Sequence, residues 1–413
     1  MGFLREKMKF GKVLLYVVAS LRSDFADIIL TVREGNTMYT TQLMKVALGA
    51  GLGLFSGLAM SHPGHIEGQD ARVQSLIMSI QEAETLDLNK TTGQGELTFK
   101  VHRTSKDLPA EAHKGLNAAH GGFGPDRRRG KGEVYFYLPE VGILKISNDM
   151  DTIDLVPTDK DMKPNNMHNT TVWYGKGKNA YITFPGNGNS TVYTTELNGT
   201  LVDKLYTPSK DLKWTKNKVS DYFAKGGKFV PTDVEYYDKQ LYVATGYSSL
   251  DYVLRADVKS GKNFSTSWNG EAFGGKGDGV GQFGTGHGIT NSPDGKSITV
   301  ADRAKSEIDR FKPNGDYVGT VDMPKGSLPC DVDYIDEYTV VGCLKGPKPD
   351  EQAAPIYILK DGKIVSTILI KDDLGLSKFT HVHNSVMIKH KSVYYVIAQA
   401  WNPGDFVILK QVK

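Results

Sequence analysis

Four strand-like runs follow one another between His287 and Val321, each separated from the next by a turn or loop. His287 opens the first, Pro293-Asp294-Gly295 turns the chain, and Ser297–Ala301 returns as a β-branched run. Glu307–Phe311 is the third, Asn314-Gly315 is a hairpin turn, and Tyr317–Val321 is the fourth. A four-stranded meander of about 45–50 residues cannot bury both of its faces alone, and it is the unit from which β-propellers are built.

Other copies fall into place against that unit. Pro231-Thr232-Asp233 and Pro329-Cys330-Asp331 each open a strand followed by a return strand. So do Thr380-His381-Val382-His383 and Met167-His168. Ala119-His120 followed by Glu133–Tyr137 is the faintest copy. The entry residues are His120, His168, Asp233, His287, Asp331 and His383, spaced 44 to 65 positions apart. The Gly-rich entry, the Pro-Asp-Gly turn and Val300-Ala301-Asp302-Arg303 resemble the NHL repeat. The sequence therefore predicts an all-β fold, a six-bladed β-propeller of NHL type with four-stranded antiparallel blades over residues 113–413. Composition agrees, with 45 Gly and 17 Pro for turns and 20 Tyr and 16 Phe for strands.

In a propeller the innermost strand of every blade lines one channel, so the six entry residues share a ring near one mouth. Any one of them can simply cap a strand and bind channel water. Four histidines and two aspartates together suit a divalent ion such as Zn²⁺. His168, His287 and His383 come from alternate blades, an arrangement able to present three imidazoles to one ion. His120 is either a fourth ligand or a channel residue, and Asp233 and Asp331 are placed to accept ring protons or to hold water.

The rest of the chain is bounded by charge and by its N-terminus. A net charge of +3 over 413 residues leaves no nucleic-acid footprint. Met44-Lys45 precedes an uncharged, Gly-rich run ending at Ala59-Met60-Ser61, the pattern of a secretory signal peptide. The alternative is a buried or membrane-anchoring helix, although the run is short for a membrane span. The expected organisation is an upstream extension over 1–43, a signal over 44–61 and an N-terminal segment over 62–112. Within that segment, Gly95–His102 alternates like an outer strand able to complete the last blade. The mature chain is then secreted or periplasmic, with no stable membrane span and with His62 and His65 near its start. Cys330 and Cys343 bracket one hairpin, from which they can be bridged in an oxidising compartment if their Cα atoms lie within about 7 Å.

From Lys228 to Phe311 the chain resembles peptidyl-α-hydroxyglycine α-amidating lyase, a six-bladed propeller whose three channel histidines hold zinc. Pro231-Thr232-Asp233-Val234, Gly246-Tyr247, Gln282-Phe283 with Gly286-His287, and Ala301-Asp302-Arg303 carry the likeness. The resemblance implies a metal-dependent carbon–nitrogen lyase with His168, His287 and His383 on the ion. It also implies Tyr247 as acid or base and Arg303 as the anchor of a substrate carboxylate. Tyr247 as a packed aromatic and Arg303 as an inter-blade ion pair are the plainer alternatives. Asn384 stands where the family has an aspartate, which removes a carboxylate from its structural Ca²⁺ site. No arginine matches the family's first-blade arginine, Arg127, Arg128 and Arg129 falling slightly later. Three functions follow: a lyase or hydrolase acting on a small-molecule or peptide substrate, a scaffold binding a protein or glycan, or a metal-binding protein without turnover.

Overall fold

The computed structural model describes residues 3–10, 13–22, 25–34, 37–47 and 87–412. It divides into two units, Met1–Ser79 and Ile80–Lys413. The first contains an antiparallel meander of Phe3–Phe10, Val13–Arg22, Phe25–Glu34 and Thr37–Ala47. The expected signal run continues beyond Ala47 into residues outside those described, as do His62 and His65. Among the described residues, no helix is long and apolar enough to cross a membrane.

The second unit is a six-bladed β-propeller. Its inner strands, in order, are Phe123–Pro125, Thr171–Tyr174, Asp233–Tyr237, Gly286–Asn291, Pro329–Ile335 and Val382–His390. Each packs against the next, and Val382–His390 packs against Phe123–Pro125 to close the ring. Blade 4 returns through Ile298–Asp302, Glu307–Phe311 and Tyr317–Asp322, within a residue of the strands read from the sequence. Its turns show why those residues were needed: Gly295 has φ +65° and Gly315 φ +93°, a region that only glycine enters without strain.

Blade 6 is closed by sequence from the other end of the unit. Leu97–Thr104 pairs antiparallel with Asp405–Gln411, and Thr92–Gln94 adds a fifth strand outside it. Joining early and late residues in one sheet leaves no seam between first and last blades to fray. The hydrophobic core lies between blades. Phe123 and Phe136 from blade 1 pack with Phe406 from blade 6, the last two stacked at 5.4 Å. The longest interval between entry residues, from His168 to Asp233, holds the helix Asn217–Ala224. That helix buries Val219 and Phe223 in a cluster with Trp214 and Phe229.

Candidate metal centre

A backbone irregularity recurs at the entry of the inner strands. In blade 4 Gly286 pairs with Asp302 but Ile289 pairs with Val300. Blade 5 pairs Pro329 with Cys343 but Asp331 with Gly342, and blade 6 pairs Val382 with Ala400 but Asn384 with Gln399. Each inner strand thus carries one extra residue, falling at His287, Cys330 and His383. A bulge of this kind bends the strand and re-aims the side chain at the extra residue. Met167 bridges Gly186 while Thr171 pairs with Thr183, which puts His168 in the equivalent gap of blade 2. In blade 3 both Thr232 and Asp233 face Ala244.

This register corrects the sequence reading in two blades. The residues in step with the histidines are Thr232 and Cys330, and Asp233 and Asp331 lie one position further along. Neither aspartate orients a histidine. Asp233 accepts hydrogen bonds from the amides of Val234 and Ile289, both at 2.7 Å. Asp331 accepts from the amide of Val332 at 2.9 Å. Together with Glu235 they line a cavity of about 410 Å³ further along the channel. Burial raises the carboxyls of Asp331 and Glu235, that of Glu235 to about 7. The ring protons go instead to main-chain carbonyls: His168 Nδ1 lies 2.6 Å from the Thr232 oxygen and His287 Nδ1 2.7 Å from that of Cys330. The bulge makes these carbonyls available where an aspartate was expected.

The rings of the three histidines expected as ligands crowd together in the channel, but their ligating atoms do not form one group within 4.8 Å of one another. Ring centroids of His168 and His287 are 4.6 Å apart, those of His168 and His383 4.7 Å, and those of His287 and His383 5.0 Å. His120 adds a fourth ring, 4.4 Å from His168 and 4.3 Å from His383, and stacks on Trp401 at 5.5 Å. Donor atoms of His120, His168 and His383 lie within 4.8 Å of one another, as do those of His287, Cys330 and His383. His168, His287 and His383 are each 1% exposed, and Nε2 of His168 and His383 has no hydrogen-bond partner.

Electrostatics keep these rings neutral, the form that binds metal. Burial first, and then the cost of charging a ring beside the other channel histidines and Arg303, pushes His168 and His383 well below 6.5. His287 falls likewise through burial and Arg303, and His120 falls to about 4 for the same two reasons. With Nδ1 of His168 and His287 donating to carbonyls, each Nε2 presents a lone pair. His383 differs, because its Nδ1 faces the amide nitrogen of Asn384 at 2.8 Å. That nitrogen also donates to the Gly121 carbonyl at 2.7 Å, so Nδ1 of His383 is the acceptor and the ring proton is on Nε2 in this arrangement. An apolar core would not leave buried ring nitrogens unsatisfied, and the donor set fits a borderline divalent ion.

Tyr247 and Arg303 reach the same cluster. Gly246-Tyr247 follows the strand Gln240–Ala244, and Arg303 follows Ile298–Asp302. Asp302 accepts from the amides of Gly284 and Thr285 at 2.7 and 2.8 Å, fixing the loop that delivers His287. The Tyr247 hydroxyl is 2.9 Å from His287 Nε2, and Arg303 donates to that hydroxyl at 3.0 Å. Burial raises the Tyr247 phenol despite Arg303. Arg127 pairs with Asp333 and Arg128 with Asp126, each at 2.6 Å.

Cys330 and Cys343 are free and buried, not bridged. Pro329 is the residue opposite Cys343, and the bulge turns Cys330 away toward His287 and His383. Cys343 packs with Ile308, Val332 and Tyr357. Sequence reasoning missed Cys330 and Trp401 as residues of the cluster. Aligning Pro329-Cys330-Asp331 with Gly286-His287-Gly288 would have found the first.

No family model matches the chain, and no curated protein matches it. Solved structures of similar fold include virginiamycin B lyase from Staphylococcus aureus, 10% identical over 95% of this chain and 94% of that one, with a TM-score of 0.40. A luciferin-regenerating enzyme is 11% identical over 72% and 92%, with a TM-score of 0.44. A protein of unknown function from Bacteroides caccae is 15% identical over 62% and 79%, with a TM-score of 0.38. The chemistry of the channel therefore rests on this chain's own residues.

Proposed function

We propose that the channel is the active site of an exported, metal-dependent lyase or hydrolase resembling peptidyl-amidoglycolate lyase. One observation carries the reading. Buried imidazoles from blades 2, 4 and 6 crowd one channel, Nε2 of His168 and His383 has no hydrogen-bond partner, and Tyr247 and Arg303 join His287 in one hydrogen-bonded chain. His168, His287 and His383 would hold a divalent ion such as Zn²⁺, which supplies Lewis-acid polarisation of a substrate oxygen.

The protein's own groups account for the remaining roles. Arg303 has a planar fork suited to a substrate carboxylate. Its position against the Tyr247 hydroxyl brings that carboxylate beside the group able to move a proton. Tyr247 stays protonated near neutral pH because burial raises it. Freed from His287, its hydroxyl can exchange a proton with the substrate hydroxyl and the leaving nitrogen. In an α-hydroxyglycine, loss of the hydroxyl proton, cleavage of the carbon–nitrogen bond and protonation of nitrogen give an amide and glyoxylate.

The test is glyoxylate release from α-hydroxyhippurate by the purified mature chain, with and without a chelator. Release that stops on chelation and returns with Zn²⁺ supports the lyase. Stoichiometric metal without turnover on this or other α-hydroxyglycine substrates would leave a metal-binding protein and reject it.

A further inference from the structure

Blade 5 puts a thiol where blades 2, 4 and 6 put imidazoles. Cys330 is the extra residue of its strand's bulge, as His287 and His383 are of theirs. It is fully buried, and its sulfur lies within 4.8 Å of ligating nitrogens of both His287 and His383. Nε2 of His383, also buried in this cluster, has no hydrogen-bond partner. An inert core cysteine would sit among apolar side chains, as Cys343 does.

We propose that Cys330 is a ligand of the channel metal, forming a mixed nitrogen–sulfur set with His287 and His383. The proposal rests on the reading of the channel as a metal centre and adds a donor that the three-histidine arrangement does not contain. Coordination forms a sulfur–metal bond as the S–H proton leaves to solvent, with no change of oxidation state. Burial disfavours a free thiolate at Cys330, and the positive charge of Arg303 opposes that penalty. A thiolate selects Zn²⁺, Co²⁺ or Cu⁺ over Mg²⁺, Ca²⁺ and Mn²⁺.

Co²⁺ alone, added to the chelator-stripped protein, tests this without any assay of turnover. The expected result is one Co²⁺ per chain with a thiolate-to-metal charge-transfer band in the near ultraviolet. Cys330→Ser should keep the visible ligand-field bands, lose the ultraviolet band and bind Co²⁺ at least about tenfold more weakly. Cys343→Ser should keep both. One bound Co²⁺ without the ultraviolet band in the unmutated protein overturns the role of Cys330 while leaving the histidine centre standing. So does a band that survives Cys330→Ser. No Co²⁺ uptake at all overturns the metal centre and Cys330 with it. The unmutated spectrum decides the matter even if Cys330→Ser fails to fold.

Discussion

The hydroxyl of Tyr247 lies 2.9 Å from Nε2 of His287 and donates to it. The direction follows from the other side of the ring, where Nδ1 gives its proton to the Cys330 carbonyl at 2.7 Å. With Arg303 donating to the hydroxyl at 3.0 Å, a single line of hydrogen bonds runs from blade 4's return strand through blade 3 to blade 5. It ties the group proposed to move protons to a proposed ligand.

Tyr247→Phe removes the hydroxyl and keeps the ring. It should lower kcat by about 10²–10⁴-fold, the range for loss of a general acid or base. Metal content should not change, because every proposed ligand is kept. Steady-state kinetics beside metal analysis checks both, and unchanged kcat would remove Tyr247 from the mechanism.

Arg303→Lys keeps the charge but loses the fork. Hydrogen bonds to a charged group contribute about 1.5–3 kcal/mol, so kcat/KM for a carboxylated substrate should fall by roughly tenfold or more. The carboxamide analogue should be affected much less. Equal losses on both substrates would assign Arg303 to packing.

The fold of blade 4 was legible because its turns demand particular residues: Gly295 and Gly315 take positive φ, and alternating residues mark the strands between them. His168, His287 and His383 were legible because repeats place equivalent residues on one ring. The two blades without histidine were misread by one position. A bulge is one extra residue in the pairing, which no residue type marks in the sequence, and Asp233 and Asp331 look more like ligands than Thr232 and Cys330 do. The bridge between Cys330 and Cys343 failed for the same reason, since the bulge turns one thiol into the channel. Trp401 stacks on His120 across a long stretch of chain, a contact that no local pattern encodes.

Acid should destabilise the metal-free protein. His120, His168, His287 and His383 all have native pKa values below the 6.5 of the unfolded chain. Below that pH the unfolded state binds protons that the native channel refuses, so stability falls as pH falls. For His120 the loss builds between pH 6.5 and about 4 and amounts to about 3 kcal/mol. For the other three it continues lower. Urea midpoints of chelated protein should therefore decline across this window, and His120→Phe should make the decline shallower. A midpoint independent of pH there would contradict the neutral, buried rings.

Phe99 sits fully buried in Leu97–Thr104, the strand that completes blade 6. Phe99→Ala should cost about 3–5 kcal/mol, the range for an emptied aromatic site. Denaturant unfolding should show one transition at a lower midpoint. A change within about 0.5 kcal/mol, as at surface sites, would mean that this strand does not hold the ring closed.

Metal analysis of the purified protein beside His287→Ala tests the central claim most directly. The account predicts about one divalent ion per chain in the unmutated protein. It predicts loss of that ion in His287→Ala with the β-sheet circular dichroism intact, because the blade cores are built from other side chains. Full metal occupancy in His287→Ala, or an unmutated protein that never takes up metal, would contradict it.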